Sequence, residues 1–328
     1  MDNIITHTPR CRYAFFFLGY PVVELLIVCV MKLKVNNVQC GYLTTHLSCA
    51  KRYPVVLSIA GSDSSGGAGI QADLKTFSAL GVYGATAITA ITAQNTLGVH
   101  SQLAIPPEMV YEQIVAVVED INPAVIKVGM LSNADVANAV ADALTRYALP
   151  TILDPVMISS SGSSLLSAEA QEVVKCRLLP MATLLTPNIP EMEALSSMPL
   201  STEEQKLDAA RYLLSLGVQS LLLKGGHEVG VTKTDILYQI KSEGIATTCF
   251  STPTIDTRNI HGTGCTLSSA IAAYMARGFE LESAISAAKN YIYDAIRAGA
   301  DVAIGRGFGP VNHLFDPQPM QIYEERTL

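Results

Sequence analysis

Short apolar runs that stop abruptly at glycine or polar residues recur along the chain, with helical patterns between them. This alternation narrows the possible folds more than any other feature. Val55 to Ala60 is uninterrupted, stops at Gly61, and reads as a buried parallel strand. A loop dense in turn residues follows, Gly61 to Gly69, and opens a helix whose apolar stripe is Ile70, Leu74, Phe77 and Leu80, stopped by Gly81. Ala85 to Ala93 is a second β-rich segment, and a helix is expected over Met109 to Ile121. Strands are expected at Ala124–Val128, Thr151–Leu153, Ala182–Thr186 and Ser220–Leu223. Between them Asn133 can cap one helix, another runs to about Arg177, and Ser201 with Glu204 forms a capping box. Repeated β–α units with short connections predict an α/β fold, a mostly parallel central sheet with helices on both faces. Residues 232–251 read instead as a two-strand insert or antiparallel edge, and two helical patterns, 264–277 and 281–298, close the body.

Ligands of open parallel sheets bind beyond the carboxyl ends of the strands. Polar signatures follow strand after strand here: Ser62-Asp63, Gln94-Asn95, Asp154, Thr186 with Asn188, and Lys224-Gly225-Gly226. All fall on one rim, which makes that rim the expected site. Asp154 and Glu191 are candidates to hold a hard cation through oxygen, since magnesium takes one or two carboxylates beside water and phosphate. Glu191 is equally a first-turn acid of the helix after Pro190. Lys224 can neutralise a phosphate or snorkel from a strand end. Asp73 borders the buried stripe, either as a dipole-complementing acid or as a carboxylate fixing a polar ligand.

The stretch His261-Gly-Thr-Gly-Cys-Thr-Leu-Ser268 opens the first closing helix with a glycine loop. Unpaired N–H groups of Gly262, Thr263 and Gly264 would join the helix dipole in a cradle for phosphate or a developing oxyanion. Cys265 falls in the first turn, where a thiol pKa tends to drop. An inert cysteine after a glycine turn is the plain alternative. Gly61 to Gly66 has phosphate-loop spacing but lacks the Lys-Ser/Thr that follows in the Walker type.

A chain of 328 residues, 49% hydrophobic and 16% charged, has ample length for a large core. Its net charge of −7 argues against a nucleic-acid or anionic-membrane partner. The seven cysteines include no C-x-x-C pair and no zinc spacing, which suits a reducing compartment and a cytoplasmic location. Residues 1–52 differ in character: Ala14 to Val30 is almost continuously apolar, yet broken by Gly19, Pro21 and Glu24. That composition weakens a bilayer span, and no clear cleavage site follows it. Residues 1–52 are therefore set apart as an extension, read as the product of an upstream start with Met31 or later functional. A membrane anchor is the less favoured reading.

The residues also resemble a known family. Ala60-Gly-Ser-Asp-Ser-Ser-Gly-Gly-Ala-Gly-Ile-Gln-Ala-Asp-Leu-Lys-Thr76, Ala93-Gln-Asn-Thr96, Lys127-Val-Gly-Met-Leu131, Leu153-Asp-Pro-Val-Met157, Thr186-Pro-Asn188, Lys224-Gly-Gly-His227 and the 261–268 loop match, in order, hydroxymethylpyrimidine/phosphomethylpyrimidine kinases of the ribokinase-like superfamily. The likeness spans about residues 53–316, including the segment Gly305 to His313, and implies a kinase domain over 53–318 with a tail at 319–328. It implies ATP-dependent phosphorylation of a hydroxymethylpyrimidine and then of its monophosphate in thiamine biosynthesis, with magnesium, in a homodimer. Gln94, Asp73, Gly61 and Ala68 would hold the pyrimidine. Lys224, Asn188, Gly226 and Thr263 would serve ATP, and Asp154 and Glu191 the metal. Gly262, Thr263, Gly264 and Cys265 would supply the anion hole, with Cys265 also the base where many relatives carry aspartate. Ser64 replaces the proline usual in the family, and residues 158–164 are unusually rich in serine.

Two readings stay beside it: a pyridoxal or pyridoxine kinase of the same superfamily, and a non-catalytic pyrimidine-binding regulator. A dinucleotide oxidoreductase fails for want of G-x-G-x-x-G after the first strand, and a serine hydrolase for want of G-x-S-x-G.

Overall fold

The computed structural model describes residues 49–157, 165–226 and 230–326. The apolar run at 14–30 and the serine-rich segment at 158–164 lie outside them. The chain divides into two compact units, one of which is Tyr53–Tyr323; to the other belong Cys49–Arg52 and the residues from Glu324 onward. Strand β1 (Cys49–Arg52) pairs with the last strand, β11 (Tyr323–Arg326), in a two-stranded sheet. No helix among the described residues is long and apolar enough to cross a membrane.

The body is one nine-stranded sheet. Its parallel centre holds β2 (Val55–Asp63), β3 (Tyr83–Asn95), β5 (Val125–Val128), β6 (Thr151–Leu153), β7 (Leu184–Leu185) and β8 (Ser220–Leu223). Antiparallel strands complete both margins: β4 (Gly98–Ala104) on β3, and β9 (Thr232–Lys241) with β10 (Gly244–Pro253) beyond β8. The order across the sheet is β10-β9-β8-β7-β6-β5-β2-β3-β4. The hairpin at 232–253 follows the expected antiparallel insert, whereas β4 was not expected. Its residues His100, Ser101 and Gln102 are exposed, so it has no apolar run to announce it.

Alternate residues of the central strands feed opposite faces, as a pleated strand requires. Leu57, Ile59, Ile126, Val128, Leu153, Leu185, Leu221 and Leu223 pack under α2 (Pro107–Ile121), α3 (Ala134–Tyr147), α4 (Ala168–Val173), α5 (Ile189–Ser196) and α6 (Glu203–Ser215). Val56, Val125, Ile152, Leu184 and Leu222 pack on the other face under α1 (Gly69–Ala79), α7 (Thr263–Ala276) and α8 (Leu281–Gly299). Ala270, Ala272 and Ala273 of α7 are fully buried, and small side chains of this kind let a helix lie close to its neighbours. Asn133 caps α3 by accepting from the Val136 amide at 2.9 Å. The capping box of α6 is Thr202 with Gln205, one residue beyond the expected Ser201 and Glu204. After α4 the chain continues as a wide turn at Val174–Leu178 and a tight one at Leu179–Met181, past the expected end near Arg177.

The segment 305–313 ties the site to the rest of the body. Arg306 and Gly307 amides donate to Thr96 Oγ1 at 3.1 Å each, and the Phe308 amide to the Thr96 carbonyl at 3.0 Å. The His261 amide donates to the Gly309 carbonyl at 3.0 Å. His313 is buried, its Nε2 3.0 Å from Thr266 Oγ1 in α7. Burial, aided by the charge of Lys75, pushes its pKa down from 6.5 to about 4. The unfolded chain then binds this proton near pH 6.5 while the folded chain waits until about pH 4. Stability should therefore fall by about 3 kcal/mol as pH drops across that window. Urea unfolding of His313→Gln between pH 7 and 4 checks this: the variant's slope should be flatter, and an unchanged slope would sink the assignment.

Candidate active site

A cavity of about 680 Å³ opens at the carboxyl ends of the parallel strands. Gly61, Ala68, Gln94, Asp154, Asn188, Glu191, Lys224, Gly226 and residues 262–265 all border it. Asn95, Thr186 and Gly225 of the expected rim do not border it, nor, of the residues assigned a catalytic or binding role, does Asp73. Its side chain is fully buried beneath the site, where Oδ2 accepts from Ser58 at 2.5 Å, Oδ1 accepts from Ser269 at 2.6 Å, and Lys127 bonds both oxygens at 3.0 Å. Both carboxylate oxygens are thus occupied by protein, which removes Asp73 as a direct contact for a ring. Lys127, a charged residue in the apolar strand β5, does border the cavity and is itself fully buried. The Asp73 charge offsets the burial that would discharge it, so its pKa is raised.

The helix α7 begins at Gly262, whose φ of +82° is the left-handed conformation that favours glycine. A Cβ there would stand 1.8 Å from the Gly67 carbonyl oxygen. Gly262→Ala should lower stability by about 2–3 kcal/mol and spoil the loop. Chemical denaturation checks it, and a variant of wild-type stability would contradict the packing. At the next glycine, Gly264, a Cβ would lie 3.5 Å from Lys224 Nζ, so the helix N-terminus and the lysine face one space.

Lys224 Nζ donates to Asp154 Oδ1 at 2.7 Å and stands 3.6 Å from Glu191 Oε2. Asp154 also accepts from Ser268 at 3.1 Å and Thr186 at 3.3 Å. Burial alone would raise the Asp154 pKa, but the charges of Lys224 and Lys127 hold it below the usual value. Glu191 goes the other way, raised by burial against the pull of Lys224. Lys224 itself is raised, because its two carboxylates outweigh its burial. Asn188 and Glu191 form the capping box of α5, with the Asn188 amide donating to Glu191 Oε2 at 2.7 Å. Glu191 is 5% exposed, so it is a buried capping acid and not a solvated one.

Cys265 is half-buried on the cavity wall, with part of its surface open to the cavity. Burial pushes its thiol up to about 11, against the Lys127 charge that lowers it; Asp154 and Asp73 add to the rise. The expected drop at a helix N-terminus is thus reversed: dehydration and two carboxylates outweigh the dipole.

Asp63, noted on the rim without a role, and Asp235, which the sequence did not single out, both shape the site. Asp63 accepts from the Ser65 amide and hydroxyl, the Gly67 and Ala68 amides, and His261. Burial would raise its pKa, but these bonds, that of His261 foremost, bring it far below the carboxylate range. On β9, Asp235 accepts from the Gly225 amide at 2.9 Å and from Lys289 of α8 at 2.8 Å, fixing the turn after Lys224. Sequence position gives no sign of these pairings, since every partner sits on a different element. Asn95, by contrast, serves the turn before β4, accepting from the Leu97 amide at 2.8 Å.

The sequence pattern of the family described as phosphomethylpyrimidine kinase matches residues 63–312. A thiamine biosynthesis bifunctional protein of Geobacter sulfurreducens is 49% identical over 260 residues, 79% of this chain and 52% of that protein, so this chain spans about half its length. A hydroxymethylpyrimidine/phosphomethylpyrimidine kinase of Rhizobium meliloti is 45% identical over 261 residues, covering 79% of this chain and 97% of the relative. Among solved structures, a phosphomethylpyrimidine kinase from Clostridium difficile superposes with a TM-score of 0.64 at 42% identity, covering 74% of this chain and 99% of that one. An ADP complex of Bacillus subtilis pyridoxal kinase gives 0.71 at 35% identity, covering 79% and 96%.

Proposed function

The chain belongs to the phosphomethylpyrimidine kinase family, and from that membership we propose that it phosphorylates 4-amino-5-hydroxymethyl-2-methylpyrimidine with ATP and then phosphorylates the monophosphate, in thiamine biosynthesis. One observation carries the reading: Lys224, Asp154 and the N-terminus of α7 converge in a single cavity that also admits Gln94. A cation, carboxylates and an anion cradle are the parts phosphoryl transfer needs, since positioning and charge stabilisation do most of its catalysis.

In this reading Gln94 and the backbone at Gly61 and Ala68 hold the pyrimidine. The amides of Gly262, Thr263 and Gly264 receive the charge developing on the transferred group. Cys265 takes the proton of the attacking hydroxyl. Lys224, with Asn188, Gly226 and Thr263, binds the ATP phosphates. Asp154 and Glu191 both flank Lys224 Nζ, at 2.7 and 3.6 Å, and would present hard oxygens to a metal beside it. Two carboxylates are a sparse set, of the kind that suits a magnesium ion keeping water and phosphate oxygens. Magnesium there would neutralise phosphate charge.

Residues 53–318 form the kinase domain of this proposal, apart from 1–52 and the tail 319–328. Free thiols at Cys176, Cys249 and Cys265 support a reducing, cytoplasmic setting. The exposed pair Ile91 and Leu103 on the β3–β4 hairpin supports a homodimer.

The pyridoxal kinase superposition keeps a second acceptor in play. Incubation of the full chain with Mg-ATP and hydroxymethylpyrimidine, pyridoxal or no acceptor, followed by mass analysis, decides. Mono- and then diphosphorylated pyrimidine, abolished by chelation, is the expected result. Pyridoxal phosphate alone would transfer the assignment to the vitamin B6 branch. Bound ligand without any phosphorylated product would favour a regulator.

A further inference from the structure

Two loops that are far apart in the chain meet at one hydrogen bond. His261 Nε2 lies 2.8 Å from Asp63 Oδ2, with both side chains buried. Asp63 is held ionised and can only accept, so Nε2 carries the proton and donates. The same carboxylate accepts from the Gly67 and Ala68 amides at 3.1 and 2.8 Å, which sets the backbone of the 61–69 loop. His261 immediately precedes Gly262, and the two loops interlock there. A Cβ on Gly67 would fall 2.3 Å from His261 Cδ2, and one on Gly262 would fall 1.8 Å from the Gly67 oxygen. His261 Nε2 also stands 3.4 Å from the Gln94 amide nitrogen. One imidazole therefore touches Gln94, the loop carrying Ala68, and the loop that opens α7.

We infer that His261, clamped on Asp63, is a positioning residue that locks the acceptor-binding loop to the anion-binding loop. The inference rests on the kinase reading for its kinetic consequences, but its geometry stands alone. A buried ionised carboxylate with one side-chain partner from another loop is costly unless that bond is made. Here five donors satisfy it, and only His261 comes from outside the loop. Breaking that one bond leaves the local turn intact and removes the tether. The acceptor would then sit loosely with respect to the anion hole, while Lys224, held by Asp154 and by neither loop, would keep its place.

Two replacements separate a tether from simple packing. His261→Phe keeps the ring and loses the donor, whereas His261→Gln keeps an amide N–H that reaches to nearly the same point. With the full chain, His261→Phe should raise the KM for the pyrimidine and lower kcat, each at least about tenfold, with the KM for ATP within about twofold. His261→Gln should recover most of both losses. An unchanged pyrimidine KM in His261→Phe, or equal damage in His261→Gln, would overturn the inference. Amide hydrogen exchange without any ligand reads the same tether directly. Gly67 and Ala68 should exchange faster in His261→Phe than in the wild type, and equal rates would also overturn it. Failure of the kinase reading looks different: the wild type makes no phosphorylated pyrimidine, and exchange alone then decides.

Discussion

Cys265→Ala is expected to lower kcat by ~10²–10⁴-fold, the usual contribution of a positioned general base, while the KM for ATP stays near the wild-type value. The thiol borders the cavity just inside the N-terminus of α7, where the proposed reading brings the acceptor hydroxyl to the phosphoryl group. Its pKa, pushed up to about 11, decides the pH dependence. A base with so high a pKa is almost wholly protonated at neutral pH, and its active fraction rises about tenfold per pH unit. Wild-type kcat/KM should accordingly climb from pH 6.5 to pH 9. Cys265→Asp, with a base already ionised, should retain part of the activity with a flatter profile. Initial rates across that range test both statements, and an alanine variant within threefold of wild type would remove the cysteine from the chemistry.

Lys224→Met is expected to cost about 3–5 kcal/mol of stability as well as ATP binding, because it strands two buried carboxylates. Asp154 is 1% exposed and Glu191 5%, and Lys224 is the cation between them. In the wild type the lowered Asp154 pKa contributes stability above the ordinary carboxylate range, and this is lost as pH falls through the folded value. The variant should invert the sign. Its unpaired acids bind protons more tightly folded than unfolded, so its deficit should shrink as pH falls toward 4. Adding Asp154→Asn should recover part of the loss, since it removes one buried charge and its single amide oxygen can still accept from Thr186 or Ser268. Urea unfolding at pH 7.5 and pH 5 measures all of this. A Lys224→Met protein as stable as wild type at both pH values would refute the buried-pair account.

Local sequence carried the central sheet because its strands are buried on both faces and leave continuous apolar runs. Val55–Ala60 and Ser220–Leu223 were legible for that reason. Strand β4 was not, because it lies at an edge with His100, Ser101 and Gln102 in water. The rim residues could be found because strand ends are marked by a change from apolar to polar. What each does there depends on partners remote in sequence. Asp73 remained ambiguous by spacing, and Lys127, 54 residues away, and Ser269, 196 away, decide it. The Cys265 thiol illustrates the same limit. Its place on the helix is local, whereas the dehydration and the two acids that raise its pKa come from the assembled site. Asp63 and His261, 198 residues apart, could be paired only by the fold.

The bonds between 305–313 and the earlier loops have a consequence for the order in which the molecule becomes competent. Thr96 is clasped by Arg306, Gly307 and Phe308, and His261 by Gly309, so both loops are braced by a segment that follows them in the chain. During synthesis the sheet and α7 can assemble first, with the glycine loops still unbraced. A chain in that condition would hold every side chain named for the proposed chemistry, on loops not yet fixed relative to one another. In the proposed reading, full turnover needs residues 305–313 in place to close that ring of contacts.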